Sequence, residues 1–464
     1  MQTVHSIIDL PIREGPIGSS IPILVLMDGE ISQLGLMWAR HLMLQEHYSP
    51  SSLEKRMSAI GRFYDFYVIE KHAAPVATDA LHILLQQFFE ARRFGSATMG
   101  WETVRPQTAV ADVRAVTEFT EWAAKNFGTA RVNPTERTLV SSLNLSDQKR
   151  YRIKQDGKRN WDQLYHLSPS TEEGKGVVNV PEFNPKSERR VDTVSKKYFP
   201  PTRVAPFIKA SPIRDALYFL LIFFGSLRAS EPLHIFAGDV SILPDGTARV
   251  VLGHPELGPY RWFDSSGKER AGKRVTFLRE RYQLGPRHFL GTKHPQHAGW
   301  KGMRFDANAY ESEVYWLRPD AGRLFAKLHS EYMKSIRLRV TDNHPYYFVN
   351  TDPGPDFGNP VTLSNMTKAF ERAAQRVGLS ASEPGVNPHG GRHFYGFYNA
   401  NILRTSMEIL QMLMHHTSIL STKVYYNLTP EVARIELAKA HAKMEAEIPE
   451  MLRMDQLFLE QSRT

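Results

Sequence analysis

Apolar residues recur three or four apart at Leu53, Met57, Ile60, Tyr64 and Tyr67, behind Ser49 and Pro50. That period turns one face of a helix inward, with a cap and a first-turn proline at its start. The same period runs through ISQLGLMWARHLMLQEH, LHILLQQFFEARR and TAVADVRAVTEFTEWAAKNFG. Residues 31–135 therefore read as a compact helical bundle. Ahead of it, residues 1–30 read as an extension of short strands, TVHSIID and IPILVLMD, separated by turn residues. A second patterned region begins near residue 202. There ALYFLLIFF predicts a buried helix that starts around Ser211 and Pro212 and stops at Gly225. HIFAGDVSIL, TARVVLGHP and KRVTFLRE predict three short strands, with PDG at 244–246 as a tight turn. GRLFAKLHSEYMKSI, TLSNMTKAFERAAQRVG and TSMEILQMLMHH predict further helices, the last opened by a capping box of Thr405 and Glu408. TPEVARIELAKAHAKMEAEI predicts a closing helix capped by Thr429. Between the two regions, residues 136–201 hold a basic tract and then a Pro-, Gly- and Ser-rich linker. The expected division is 1–30, 31–135, 136–201, a second domain over 202–445 and a tail over 446–464.

Composition narrows the chemistry. With 464 residues, 42% of them hydrophobic, the chain can bury more than one core. A net charge of +9 suits a polyanionic partner, nucleic acid before a membrane surface. The basic tract QKRYRIKQDGKR offers Lys149, Arg150, Arg152 and Lys154, and the first-domain helix offers Lys55, Arg56 and Arg62, as DNA-backbone contacts. There are no cysteines, which excludes disulfides, thiolate zinc sites and cysteine nucleophiles and suits a reducing cytoplasm. No secretory signal is visible, and the longest apolar run is too short for a bilayer span.

Three polar clusters fall where packing alone does not ask for them. GSLRASE at 225–231 places Arg228 at the end of an apolar helix, where a guanidinium needs a partner or a ligand; an ion pair with Glu231 is the plain alternative. NPHGGRHFYG at 387–396 puts His389, Arg392 and His393 on one helical face. HHTSILSTKVYYN at 415–427 supplies two histidines and two tyrosines. Arginine grips phosphate oxygens through a planar fork, histidine and lysine donate or move protons, and tyrosine is a covalent nucleophile once its phenol is activated. The sequence carries no compact Asp/Glu cluster of the kind that holds paired magnesium ions. Two histidines four apart could chelate zinc, but Gly390 stands where a metalloprotease helix has its glutamate. His288, His294 and His297 read as loop histidines or, with Trp300 and Lys301, as DNA-backbone contacts.

In this order and spacing the three clusters resemble the tyrosine recombinases, or phage integrases. That family has an Arg in a G-L-R-x-S-E context, an H-x-x-R-H box and a final box in which a histidine precedes the nucleophilic tyrosine by nine positions. The resemblance covers roughly 205–445 well and 30–130 in architecture only. It implies a mainly α fold with a small antiparallel β-sheet: a helical, SAM-like core-binding domain and a recombinase catalytic domain closing as a C-shaped clamp on DNA. It also implies a catalytic set of Tyr425 as nucleophile with Arg228, Arg392, His389 and His416. Glu231 and His393 fall at supporting positions, and Tyr426 is left to packing. The family lysine lies in the turn between the second and third strands, where Lys268 is the first choice and Lys273 the alternative. The chain departs from the family pattern at Gly391, where leucine is usual, at His415, where glycine is usual, and over the insertion 286–306.

The chemistry implied is site-specific DNA recombination through a 3′-phosphotyrosine intermediate, with no cofactor and no metal. The partners implied are a double-stranded recombination site, further protomers up to a tetramer on DNA, and accessory DNA-bending or element-encoded proteins. The setting implied is a DNA-associated cytoplasmic enzyme of a mobile element. A type IB topoisomerase, a DNA-binding accessory protein without chemistry, and a zinc hydrolase built on His389 and His393 are the other readings.

Overall fold

The computed structural model describes residues 3–13, 16–143, 148, 177–185, 197–306, 309–426 and 437–438. Lys149, Arg150, Arg152, Lys154, the closing helix around Thr429 and the tail over 446–464 lie outside the described residues, apart from two helical positions at 437–438.

The N-terminal strands pair as an antiparallel hairpin, β1 (Ser6–Pro11) with β2 (Ser20–Val25), in register Ser6↔Val25 to Pro11↔Ser20. β2 packs on α1 (Gln33–Leu44) and α2 (Pro50–Asp65), burying Ile21, Ile23, Leu24, Trp38, Leu53, Met57 and Ile60 in one core. A second core lies between α3 (Leu81–Phe94) and α4 (Pro106–Phe127), built on Leu85, Phe88, Met99, Trp101 and Val113. The helices expected in this stretch form between Gln33 and Phe127, with α4 ended at Gly128 in the left-handed region, φ 67°.

The expected linker is not wholly irregular. β3 (Thr135–Leu139) pairs antiparallel with β4 (Val177–Pro181), and the side-chain amide of Asn133 exchanges hydrogen bonds with the backbone of Phe183, whose ring packs on Phe89. Alternating apolar residues in VVNVP sit inside a Pro- and Ser-rich stretch, and the surrounding composition hides them.

The second unit is organised around α6 (Ile213–Phe223), every residue of which from Arg214 to Phe223 is buried. Pro212, not Ser211, takes the N-cap position. α5 (Pro201–Lys209), α8 (Pro319–Ser335), α9 (Leu363–Arg376) and α10 (Pro388–Phe397) surround it, with Phe199, Phe207, Phe223 and Phe370 in edge-to-face and stacked contact. A three-stranded antiparallel sheet in the order β5-β6-β9 flanks this core: β5 (Val240–Ile242), β6 (Ala248–Gly253) and β9 (Glu311–Glu313).

KRVTFLRE is not a strand. It forms α7 (Arg274–Tyr282) and follows a separate two-stranded hairpin, β7 (Pro259–Phe263) with β8 (Glu269–Lys273). The residues that turn inward are Arg274, Phe277 and Leu278, at helical spacing, with Arg274 held by two hydrogen bonds to Asp239. The true third strand of the sheet is the polar triplet Glu311–Glu313, and the whole of 254–310 is an excursion between β6 and β9.

Candidate active site

Three loops meet where α6, α10 and the C-terminal helices converge. α10 begins at Asn387, whose side-chain oxygen accepts the Gly390 N–H at 2.8 Å, with Pro388 in the first turn. The glycines of this turn are steric requirements. A Cβ on Gly390 would stand 1.8 Å from the Gly385 carbonyl oxygen, and one on Gly391 would stand 2.8 Å from Ile222. Gly391, where the resembled family has leucine, is thus matched to the crowded end of α6.

The second loop leaves α6 through Gly225 and Ser226, the latter with φ 59°, and delivers Arg228. Glu231 accepts the Arg228 backbone N–H at 2.7 Å and pairs with its guanidinium. Arg392, 2% exposed, donates to the carbonyls of Ser226 and Met414, the latter at 2.7 Å, and its guanidinium is 3.9 Å from Glu231. One carboxylate therefore serves two arginines.

The third loop follows α11 (Met407–Leu413). Its N-cap is Ser406, which accepts the Ile409 N–H; Thr405 instead donates to Asn399, so the cap lies one residue later than expected and the Thr405–Glu408 capping box does not form. Met414 ends the helix and His415 adopts φ 52°, a left-handed conformation that glycine takes without strain. The glycine-to-histidine departure noted in the sequence lies at that strained position. His416 is buried with its Nδ1 2.9 Å from Thr422 Oγ1, on α12 (Ile419–Lys423). Tyr425 follows in the turn Val424–Tyr426, its carbonyl held by Asn401 at 3.1 Å. Its ring lies parallel to His416, centroids 6.1 Å apart, and 5.4 Å from His393, which in turn is 4.3 Å from His389. A Cβ on Gly396 would come within 2.5 Å of the Tyr425 ring, so α10 is shaved to admit the tyrosine.

The paired tyrosines separate in space. Tyr426 turns away and donates its hydroxyl to the Thr405 carbonyl. Tyr425 is the one that faces the arginines. Burial raises its pKa, and the charges of Arg392 and Arg228 act against that rise. Burial, then Arg392 and Arg228, pushes His416 down to about 2. Burial, then His389, pushes His393 to about 4. His389, whose ring is partly enclosed at an open rim, is lowered by that enclosure and then by Arg392, Lys301 and Arg228. Burial and the neighbouring Arg228 lower Arg392 itself. The centre is thus two guanidiniums among imidazoles kept neutral, with a phenol beside them. Its excess positive charge suits a phosphate diester. Among the described residues, no group of three or more His, Asp or Glu is placed to hold a metal ion.

The structure does not bring every expected residue here. Lys268 is exposed in the β7–β8 turn, where its backbone closes on Asp264, and Lys273 is exposed at the end of β8. Among the described residues neither ammonium has a hydrogen-bond or ion-pair partner, and neither acts on the His–Arg–Tyr cluster. Lys301 does, through His389. It is exposed between fixed neighbours. Trp300 packs against His234 and His254, Met303 is buried in the main core, and the Arg304 N–H donates to the His415 carbonyl at 3.2 Å. Lys197 is a further cation beside His393. Lys301 was read in the sequence only as a backbone contact, because it lies in an insertion the motif does not cover.

Of the expected DNA contacts on α2, Arg56 is tied to Glu118 at 3.2 Å and Arg62 to Asp112 at 2.7 Å, which also binds Arg92 at 2.9 Å. Lys55 is exposed, as is Arg114 across a groove of about 650 Å³ between α2 and α4. His288 and His297 brace the insertion: His288 stacks on Phe289, and His297 Nδ1 lies 2.8 Å from the Leu290 carbonyl. His294 accepts the Gln296 N–H. No helix among the described residues is long and apolar enough to cross a membrane.

No family model matches this chain, and no curated protein does. Solved structures do. The chain is similar to the XerH site-specific recombinase bound to palindromic difH substrate in a post-cleavage complex, at 13% identity over 84% of this chain and 79% of that one, TM-score 0.47. It is similar to the Tn1549 transposon integrase in complex with circular intermediate DNA, at 13% identity over 87% and 98%, TM-score 0.43. It is also similar to a lambda integrase dimer bound to a COC′ core site, at 11% identity over 85% and 76%, TM-score 0.39.

Proposed function

We propose that the protein is a tyrosine-type site-specific DNA recombinase. The observation that carries the reading is the convergence of Arg228, Arg392, His389, His393, His416 and Tyr425 on one centre, with Tyr425 facing the arginines and Tyr426 turned away. Three distant motifs would not share a centre by packing alone.

In this reading a phosphate of the DNA backbone binds between Arg228 and Arg392, whose guanidiniums offset charge on the pentacovalent transition state. Tyr425 Oη attacks phosphorus in line, forming the 3′-phosphotyrosine bond, and the bond from phosphorus to the 5′ oxygen breaks. The phenolic proton passes to a neutral imidazole of the cluster, and a cation delivers a proton to the 5′ oxygen. We assign that role to Lys301 over Lys268, since Lys301 is among the charges that lower His389 and Lys268 is not among those acting on the cluster. A 5′ hydroxyl from a partner strand reverses the step, so bond energy is conserved. Glu231 orients the arginine pair. Exchange of two duplexes needs four protomers. A nearly identical site serves type IB topoisomerases, which act on one duplex without synapsis.

The test uses a nicked suicide duplex carrying DNA that flanks the gene, with chelator present. A covalent protein–DNA band with wild-type and Tyr426→Phe protein, lost in Tyr425→Phe, is expected. Tight binding with no band from any flanking DNA would favour a DNA-binding protein without chemistry. Relaxation of supercoiled plasmid without strand exchange would favour the topoisomerase.

A further inference from the structure

The excursion between β6 and β9 contains an arm, residues 284–304, that reaches from one unit of the molecule to the other. On the second unit it is braced by Arg287, 2% exposed, whose guanidinium donates to the carbonyls of Leu233, Gln296 and Val361. Gln296 adds a bond to the Pro360 carbonyl at 2.8 Å. The tip, Leu290–Lys293, lies on the N-terminal hairpin and α2. Thr292 donates to Glu54, and Lys293 Nζ donates to the Ile7 carbonyl at 2.5 Å. The fit is close: a Cβ on Gly291 would stand 2.6 Å from Ser20 Oγ, one on Gly18 2.7 Å from Leu290, and one on Gly285 would collide with the Ile17 carbonyl. Glu54 also lines the α2–α4 groove with Lys55 and Arg114, while the far end of the arm, at Arg304, is bonded to His415 beside the active cluster.

The arm therefore runs between the two cationic surfaces that a DNA duplex would have to touch together. We propose that it is a latch: its contact with the β1–β2 hairpin joins the two units a second time, closing the chain into a ring around DNA, and must open for a duplex without free ends to enter. This rests on the DNA-recombinase reading. The joint has the character of one that can open. Among the described residues two side-chain hydrogen bonds tie its tip, one part-buried and one exposed, and single bonds of this kind contribute little individually.

The chain has no cysteine, so a single disulfide can lock the joint. Ser20→Cys with Gly291→Cys sets the Cβ of one side chain against the γ position of the other, near enough for a sulfur–sulfur bond, and the resulting covalent loop runs from residue 20 to residue 291 whatever its path. The variant is mixed reduced with a covalently closed plasmid, oxidised, and washed at about 1 M salt, where phosphate contacts are screened. We expect the protein to stay on the circle, and to leave when the plasmid is linearised or the disulfide reduced. Protein oxidised before mixing should fail to become salt-resistant on the circle, yet thread onto linear DNA. If protein oxidised on the circle washes off as readily as reduced protein, DNA does not pass through the loop and the latch is wrong. If the two cysteines do not cross-link under oxidant, the arm does not sit on the hairpin and the latch is again wrong. If the reduced variant and the wild type both fail to bind plasmid at low salt, the DNA-recombinase reading fails, and that result is distinct from the other two.

Discussion

Two arginines of the second unit are almost completely buried and meet opposite electrostatic fates. Arg274, 1% exposed, lays its guanidinium on Asp239 through bonds of 2.8 and 2.6 Å, and that carboxylate raises its pKa against the cost of burial. Arg392 has two carbonyls and one carboxylate at 3.9 Å already engaged by Arg228, and burial with that second cation lowers its pKa. The first is a finished ion pair. The second is a held charge without a full counter-charge, in reach of a tyrosine. Arg287 shows that carbonyl contacts alone are not the mark of a ligand site: its three nitrogens donate to carbonyls and Tyr218 and Tyr346 lie beside it, but no second guanidinium acts on it as Arg228 does on Arg392. What distinguishes a binding arginine here is charge left over, with chemistry beside it.

That contrast can be broken by exchanging the outcomes of two substitutions. Arg392→Lys keeps a charge but loses the planar fork, and we expect covalent complex formation to fall by roughly 10³-fold while DNA retention changes little. Arg274→Ala strands Asp239 and should cost about 3–5 kcal/mol in denaturant unfolding, with cleavage per folded molecule unchanged. If Arg274→Ala instead abolished cleavage in a folded protein, the distinction would be lost.

Lys301→Ala should slow strand cleavage by roughly 10²-fold, as loss of a proton donor does, and Lys268→Ala should not. A DNA with sulfur in place of the bridging 5′ oxygen has a leaving group that needs no proton. It should restore Lys301→Ala and leave Arg392→Lys impaired. Gly396→Ala drives a methyl against the Tyr425 ring, and displacement of the nucleophile by about 1 Å should cost on the order of 10²-fold in cleavage. DNA binding should be retained.

The smallest effect is on stability. Burial holds His416 at about 2, His288 at about 3 and His254 and His393 at about 4, and His234 well below its ordinary value. A depressed histidine is neutral in both folded and unfolded chains above its unfolded value. Below that value the unfolded chain takes up protons that the folded one refuses, so stability is lost as pH falls from about 6.5 toward the folded values. Each fully buried imidazole should cost roughly 2 kcal/mol by pH 5. Urea midpoints at pH 7.5 and pH 5 measure the sum, and a midpoint that rises on acidification would contradict the burial of these rings.

Much of this was legible in the sequence, for physical reasons. The helices of the first unit announce themselves because their apolar residues keep a helical period, with a start signal such as Ser49–Pro50. The reading failed where an inward residue was polar. Arg274 on α7 counted as surface, and the Glu311–Glu313 strand carries no apolar signal. That error placed the end of the hairpin at Leu278 instead of Lys273. The motif residues were readable because chemistry fixes their types and spacing. The positions that hold them were not: the positive φ of Ser226 and His415, and the two carbonyls on Arg392, depend on loops that meet only in the fold. Arg56 and Arg62 looked like DNA contacts because a single sequence does not show Glu118 and Asp112 opposite them.

The most direct measurement is to trap the covalent complex on flanking suicide DNA, digest both components, and locate the modified residue by mass spectrometry. The account predicts a nucleotide 3′-phosphate on Tyr425 in the peptide spanning Val424–Tyr426. A phosphate on Tyr426, or on any residue outside the Arg228–Arg392 centre, would contradict it.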